Sequence, residues 1–152
     1  ERRNNLLDGG AHFYGAFECA DGKWVAIGSI EPQFYQLLLE STGIEVDSDG
    51  ATQDSQDWPQ MRQRLQEIFR AQPRAHWCEI MEGTDICFAP VLSMTEAPTH
   101  PHNQARDVFV TEFGVVQPAP TPRFSRTPGA INKPPPMAGE HTLEVLKEWG
   151  LK

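Results

Sequence analysis

The 152-residue sequence predicts an α+β fold: a small sheet, made of a hairpin plus one further strand, covered by about three helices and followed by an extended Pro-rich arm and a terminal helix. Three observations carry this. Two runs rich in aromatic and β-branched residues flank an Asp-Gly turn, the strongest short-range hairpin signal. Apolar residues recur at helical spacing in three later segments. Finally, seven of the thirteen prolines fall between Pro118 and Pro136, a stretch that cannot build a core of its own.

The hairpin spans Phe13 to Cys19 and Lys23 to Ile30, turning at Ala20-Asp21-Gly22. In its second strand Trp24, Ala26 and Gly28 alternate with Val25, Ile27 and Ser29, so both faces are apolar and cover on both sides is expected. A first helix is expected from Pro32 to about Ser41, with Phe34, Leu37, Leu38 and Ser41 on one stripe and Gly43 as its stop. Residues 44–56 read as a polar surface loop. The acids Glu45, Asp47 and Asp49 there lack the ligand pattern of a calcium loop.

A second helix is expected over Trp58 to Ala71, with Trp58, Met61, Leu65, Ile68 and Phe69 as its core stripe. A third, Pro73 to Met81, shows Trp77, Ile80 and Met81 and ends at Gly83. The run Ile86 to Leu92 is an apolar strand, and Pro90 confines it to an edge or a bulge. Ser93 and Glu96 have capping-box spacing, which predicts a helical turn after them. From Val108 to Val116 the alternation predicts one or two strands, broken near Phe113-Gly114. The last helix runs from about Glu140 to Trp149, with Leu143, Leu146 and Trp149 on one face.

Composition narrows the function. The formal charge is −8, and no run of Lys or Arg occurs. That argues against a nucleic-acid partner and against an anionic membrane surface. No apolar run is long enough to span a membrane and no signal-peptide core is present, so a cytoplasmic protein is expected. Cys19, Cys78 and Cys87 read as reduced thiols, with Cys87 in the core. No metal site is expected: there is no Cys-x-x-Cys, and His100 and His102 lack a third ligand and read as surface or cap residues. The chain opens without Met on a charged, polar run, as a piece of something longer would.

One junction stands out. At Gly28-Ser29-Ile30-Glu31-Pro32-Gln33-Phe34-Tyr35 an apolar strand gives way to a helix, with a carboxylate between them. Pro32 holds Glu31 extended and is itself suited to the first helical position, which puts Glu31 at the N-cap. A carboxylate there can complement the helix dipole, the commoner use, or serve as a general base. Upstream, Gly9-Gly10 permits backbone close to a ligand, or a plain loop.

Several segments, in order, resemble one family. These are Asn5-Leu6-Leu7-Asp8-Gly9-Gly10-Ala11, Ala20-Asp21-Gly22-Lys23, Ile30-Glu31-Pro32-Gln33-Phe34-Tyr35 and Gly83-Thr84-Asp85-Ile86-Cys87-Phe88-Ala89-Pro90-Val91-Leu92. Pro122-Arg123-Phe124-Ser125-Arg126-Thr127 and Gly139-Glu140-His141-Thr142 complete the set. Together they are similar to the α-methylacyl-CoA racemases of the family III CoA-transferase group, and the likeness runs through essentially the whole chain.

The resemblance implies that residues 1–12 link to an N-terminal large domain outside this sequence. Residues 13–107 would form the small α+β domain, and 108–152 an arm and helix that dock on the large domain or a partner subunit. It implies epimerisation of the 2-methyl centre of a branched acyl-CoA by 1,1-proton transfer through an enolate, with Glu31 as one acid/base. The large domain would bind CoA and supply a His/Asp pair. None of His12, His76, His100, His102 or His141 matches that motif. Tyr14, Leu7 and Ile30 would line the acyl pocket; His12 stands where such racemases usually carry proline. CoA is part of the substrate, no separate cofactor is implied, and a homodimer or self-association is expected. Two other readings stay open: part of a family III CoA-transferase, or a stand-alone acyl-binding or dimerising module without catalysis.

Overall fold

The computed structural model describes residues 4–45 and 53–151. Asp47 and Asp49 of the acidic loop lie outside them. The fold is α+β, and the chain divides into two compact units, Glu1–Leu92 and Ser93–Lys152, so that 93–107 groups with the arm.

The first unit opens on the hairpin of β1 (Tyr14–Glu18) and β2 (Trp24–Gly28), which pair antiparallel with Tyr14 opposite Gly28 and Glu18 opposite Trp24. Gly22 turns the chain at φ +72°, a conformation glycine adopts without strain. Strand β3 (Phe88–Val91) adds to β2, giving the order β1-β2-β3. Pro90, which has no N–H to offer, thus lies on an edge strand.

On the opposite edge, β1, a side chain meets the open main-chain groups of Glu18. Gln66 donates from Nε2 to the Glu18 carbonyl at 2.9 Å and accepts from the Glu18 N–H at 3.4 Å. Arg70 pairs with the Glu18 carboxylate at 2.7 Å. These contacts blunt an edge that would otherwise recruit another strand.

Three helices follow in the order expected: α1 (Pro32–Thr42), α2 (Trp58–Arg70) and α3 (Arg74–Met81). Gly43 closes α1 at φ 67°, ψ 23°, a left-handed C-cap. Phe17, Val25 and Ile27 from the sheet pack with Leu38, Leu39, Leu65, Phe69, Trp77 and Met81 from the helices in one core. Phe69 sits at its centre, with its ring 5.2 Å from Phe17 and 5.1 Å from Trp77.

Several expectations are corrected here. The buried face of α1 is Tyr35, Leu38 and Leu39, one residue round from the stripe read through Phe34 and Leu37. On α3, Ile80 points outward and 38% of it is exposed. Strand β2 is covered on one face only within the described residues: Val25 and Ile27 are buried, whereas Trp24 is 42% exposed. Cys87 is exposed rather than core, because its left-handed φ of 61° breaks the strand alternation after the buried Ile86.

The second unit begins with a reciprocal capping box. The Ser93 N–H donates to the Glu96 carboxylate at 2.9 Å, and the Glu96 N–H donates to Ser93 Oγ at 3.2 Å. A 3₁₀ turn (Ala97–Thr99) and a short helix α4 (Pro101–Ala105) come next, with His100 at the N-cap of α4. The α4 helix was not anticipated, since five residues are too few to show a periodicity.

A second hairpin, β4 (Phe109–Glu112) and β5 (Val115–Pro118), turns at Phe113-Gly114 with both φ angles positive, as a tight two-residue turn requires. The terminal helix α5 (Thr142–Glu148) has no buried residue. None of the described residues of this unit is buried, and Met94, Met137, Leu143 and Trp149 each stand more than three-quarters exposed.

Candidate active site

Glu31 occupies the N-cap of α1 with φ −71° and ψ 142°, the extended geometry that the following proline enforces. Its carbonyl accepts the N–H groups of Phe34 at 3.0 Å and Tyr35 at 2.9 Å, so its main chain is part of the helix. Its side chain is not. The carboxylate is exposed and makes no capping hydrogen bond, which leaves it available to something outside the described residues.

The chain leading to Glu31 is held closely. Gly28 donates its N–H to the Cys87 carbonyl at 2.9 Å, and Ser29 donates to the Phe13 carbonyl at 3.0 Å. Ser29 is fully buried, and its hydroxyl donates to the Ile86 carbonyl at 2.5 Å. The Ile30 carbonyl accepts from Gln53 Nε2 at 3.0 Å, and Gln53 in turn takes the Trp58 indole N–H at 3.1 Å. Every residue from 28 to 30 is thus pinned by a group from another part of the fold.

Tyr14 heads β1 opposite Gly28. A methyl group on Gly28 would sit 3.6 Å from the Tyr14 ring, at ordinary van der Waals distance, so the ring lies beside the glycine. Tyr14 and Ile30 both pack, half-buried, against the core. Strand register therefore brings Tyr14 and Ile30 to the junction that carries Glu31. Leu7 is 61% exposed, on the turn that Asp8 closes by accepting the Asn5 N–H at 2.9 Å. Among the described residues no group of three or more His, Cys, Asp or Glu could hold a metal ion. No helix there is long and apolar enough to cross a membrane.

Two residues to which sequence reasoning gave no site role belong to this region. His12 is fully buried, and its Nε2 lies 2.8 Å from the Tyr35 hydroxyl. Its ring also meets Phe13 and Tyr35 edge-on at 5.0 and 5.5 Å. Burial, and secondarily the Arg62 charge, push the imidazole down from 6.5 to about 4. Tyr35 could have been found, because Tyr35, Leu38, Leu39 and Thr42 have i, i+3, i+4, i+7 spacing. A histidine in a loop offers no such signal.

The His12 shift has a measurable consequence. The unfolded chain takes up a proton near pH 6.5, while the folded chain does so only near 4. Between those values the unfolded state binds more protons, so this contribution is complete above about pH 6.5 and is lost as pH falls toward 4. The loss should reach roughly 3 kcal/mol at one pKa unit per 1.36 kcal/mol. Urea unfolding of the chain at several pH values should show this slope, and His12→Phe should remove it.

The chain matches CoA-transferase family III over residues 1–142 and belongs to that family. Within it, the chain is 45% identical over 151 residues to the alpha-methylacyl-CoA racemase of Mus musculus and 42% identical to that of Homo sapiens. Each alignment covers 98% of this chain but 40% of the racemase, so the chain spans about two-fifths of these curated relatives. The crystal structure of Rv3272 from M. tuberculosis has the same fold, with a TM-score of 0.65 at 18% identity, over 86% of this chain and 37% of that one.

Proposed function

We propose that this chain is the Glu31-bearing part of an α-methylacyl-CoA racemase, which epimerises the 2-methyl centre of a branched-chain acyl-CoA. Inverting a carbon beside a thioester carbonyl needs a base on one face and an acid on the other, with donors for the enolate between the two steps. Glu31 is one of the two groups. Its counterpart, a His/Asp pair, comes from a CoA-binding domain outside this sequence. CoA enters as part of the substrate, and Tyr14 and Ile30 flank the branched acyl group, with Leu7 as a third wall residue.

One observation carries this reading: an exposed carboxylate that makes no capping hydrogen bond among the described residues, on a main chain held at every preceding residue from 28 to 30. A carboxylate acting as a side-chain cap would bond to the N–H groups of the first turn, and this one does not. The likeness to the two mammalian racemases supports the same assignment.

The test uses the product of the full reading frame and a 2-methylacyl-CoA deuterated at the α carbon. Loss of α-deuterium to solvent, with no acyl transfer to an added free acid, is the expected result. Acyl transfer without exchange would identify a CoA-transferase instead and overturn the proposal.

A further inference from the structure

We propose that His12 is a positioning residue for Glu31: paired with Tyr35, it forms a side-chain clamp that fixes one flank of the carboxylate while the main chain of its neighbour Phe13 fixes the other. This rests on the racemase reading above and adds to it a residue to which no catalytic role has been given.

The geometry is that of two consecutive residues gripping both sides of a third. Two residues before Glu31, the Ser29 N–H donates to the Phe13 carbonyl at 3.0 Å. Four residues after it, the Tyr35 hydroxyl meets His12 Nε2 at 2.8 Å. Tyr35 is also the residue whose N–H reaches the Glu31 carbonyl at 2.9 Å, so holding its side chain holds the first turn of α1. Both anchors lie in the segment that runs directly into Tyr14. Glu31 is thereby set relative to the residue that shares its junction.

The clamp suits its place. Glu31 itself is exposed and its carboxylate makes no capping hydrogen bond among the described residues, so its direction depends on the backbone that carries it. His12 and Tyr35 are both buried, at 0% and 5% exposure, and water does not compete for their bond. His12 Nδ1 has no hydrogen-bond partner among the described residues. Which of Nε2 and the Tyr35 hydroxyl donates depends on the imidazole tautomer, and the bond joins the two side chains in either case.

Two measurements test this. On the chain itself, amide hydrogen exchange at Phe34 and Tyr35, whose N–H groups bond to the Glu31 carbonyl, should speed up about tenfold in Tyr35→Phe and in His12→Phe. The Ser29 amide, held by the other anchor, should keep its rate, and His12→Gln, whose amide can donate or accept, should behave as wild type. Wild-type rates at Phe34 and Tyr35 in Tyr35→Phe, a change that removes one oxygen and no volume from the core, would overturn the clamp.

In the full reading frame product, each single Phe variant should lower kcat for α-deuterium loss by about 10- to 100-fold, the scale of a misplaced catalytic group, with KM within about twofold. The double variant His12→Phe/Tyr35→Phe replaces both polar partners and should regain thermal stability while remaining slow. A double variant that regained rate together with stability would show the pair to be structural and sink the positioning role. A wild-type protein without α-exchange would instead sink the racemase reading, and the amide rates would still decide the clamp.

Discussion

Glu31→Gln should lower α-proton exchange by the full reading frame product about 10²- to 10⁴-fold, the span that one general acid/base commonly contributes. Glutamine keeps the length and shape of the side chain and loses only the ability to take up and return a proton. The fold should not register the change. Glu31 is exposed and caps nothing with its side chain, so unfolding free energy should move by no more than about 0.5 kcal/mol. Steady-state exchange and urea unfolding on the same preparation separate the two effects. A slow variant that also unfolds easily would make Glu31 a structural residue, and a stable variant with undiminished exchange would remove it from the chemistry.

Phe69→Ala should have the largest effect on stability, roughly 3–5 kcal/mol by the cost of emptying an aromatic site in a packed core. Phe69 is fully buried between Phe17 and Trp77 and is held along the main chain as well, since the Trp77 indole N–H donates to its carbonyl at 3.0 Å. Helices α2 and α3 and the sheet meet on this ring. Against the 5–15 kcal/mol of an ordinary domain, such a loss is a large share of the total. The midpoint of urea unfolding reads it directly. A shift worth less than about 1 kcal/mol would mean that the three elements do not converge on Phe69 as described.

Much of the fold was legible because local rules and the tertiary structure agree. Asp21-Gly22 marked the hairpin, Gly43 the end of α1, Ser93 and Glu96 the capping box, and Phe113-Gly114 the second turn. Each is a signal confined to two to four residues. The errors have a shared cause too: they concern which way a side chain faces, and that is decided by partners distant in sequence. The face of α1 was misread because Phe34 is more apolar than Tyr35, yet the tyrosine goes inward since His12 satisfies its hydroxyl. Cys87 was misread because alternation assumes regular backbone, and a positive φ interrupts it.

The site divides along the same line. Glu31 could be singled out because Pro32 acts on its immediate neighbour. Ser29 and Gln53 could not be assigned their holding roles, since their acceptors, Ile86 and Ile30, lie 57 and 23 residues away along the chain.

The second unit, Ser93–Lys152, has no buried residue among those described, and this bears on calorimetry. The heat-capacity step of a melt scales with apolar surface newly wetted, and this unit already shows most of its own to solvent. A scanning trace of the 152 residues would therefore carry the heat-capacity step of a much shorter protein, drawn mostly from the sheet and three helices that precede Ser93.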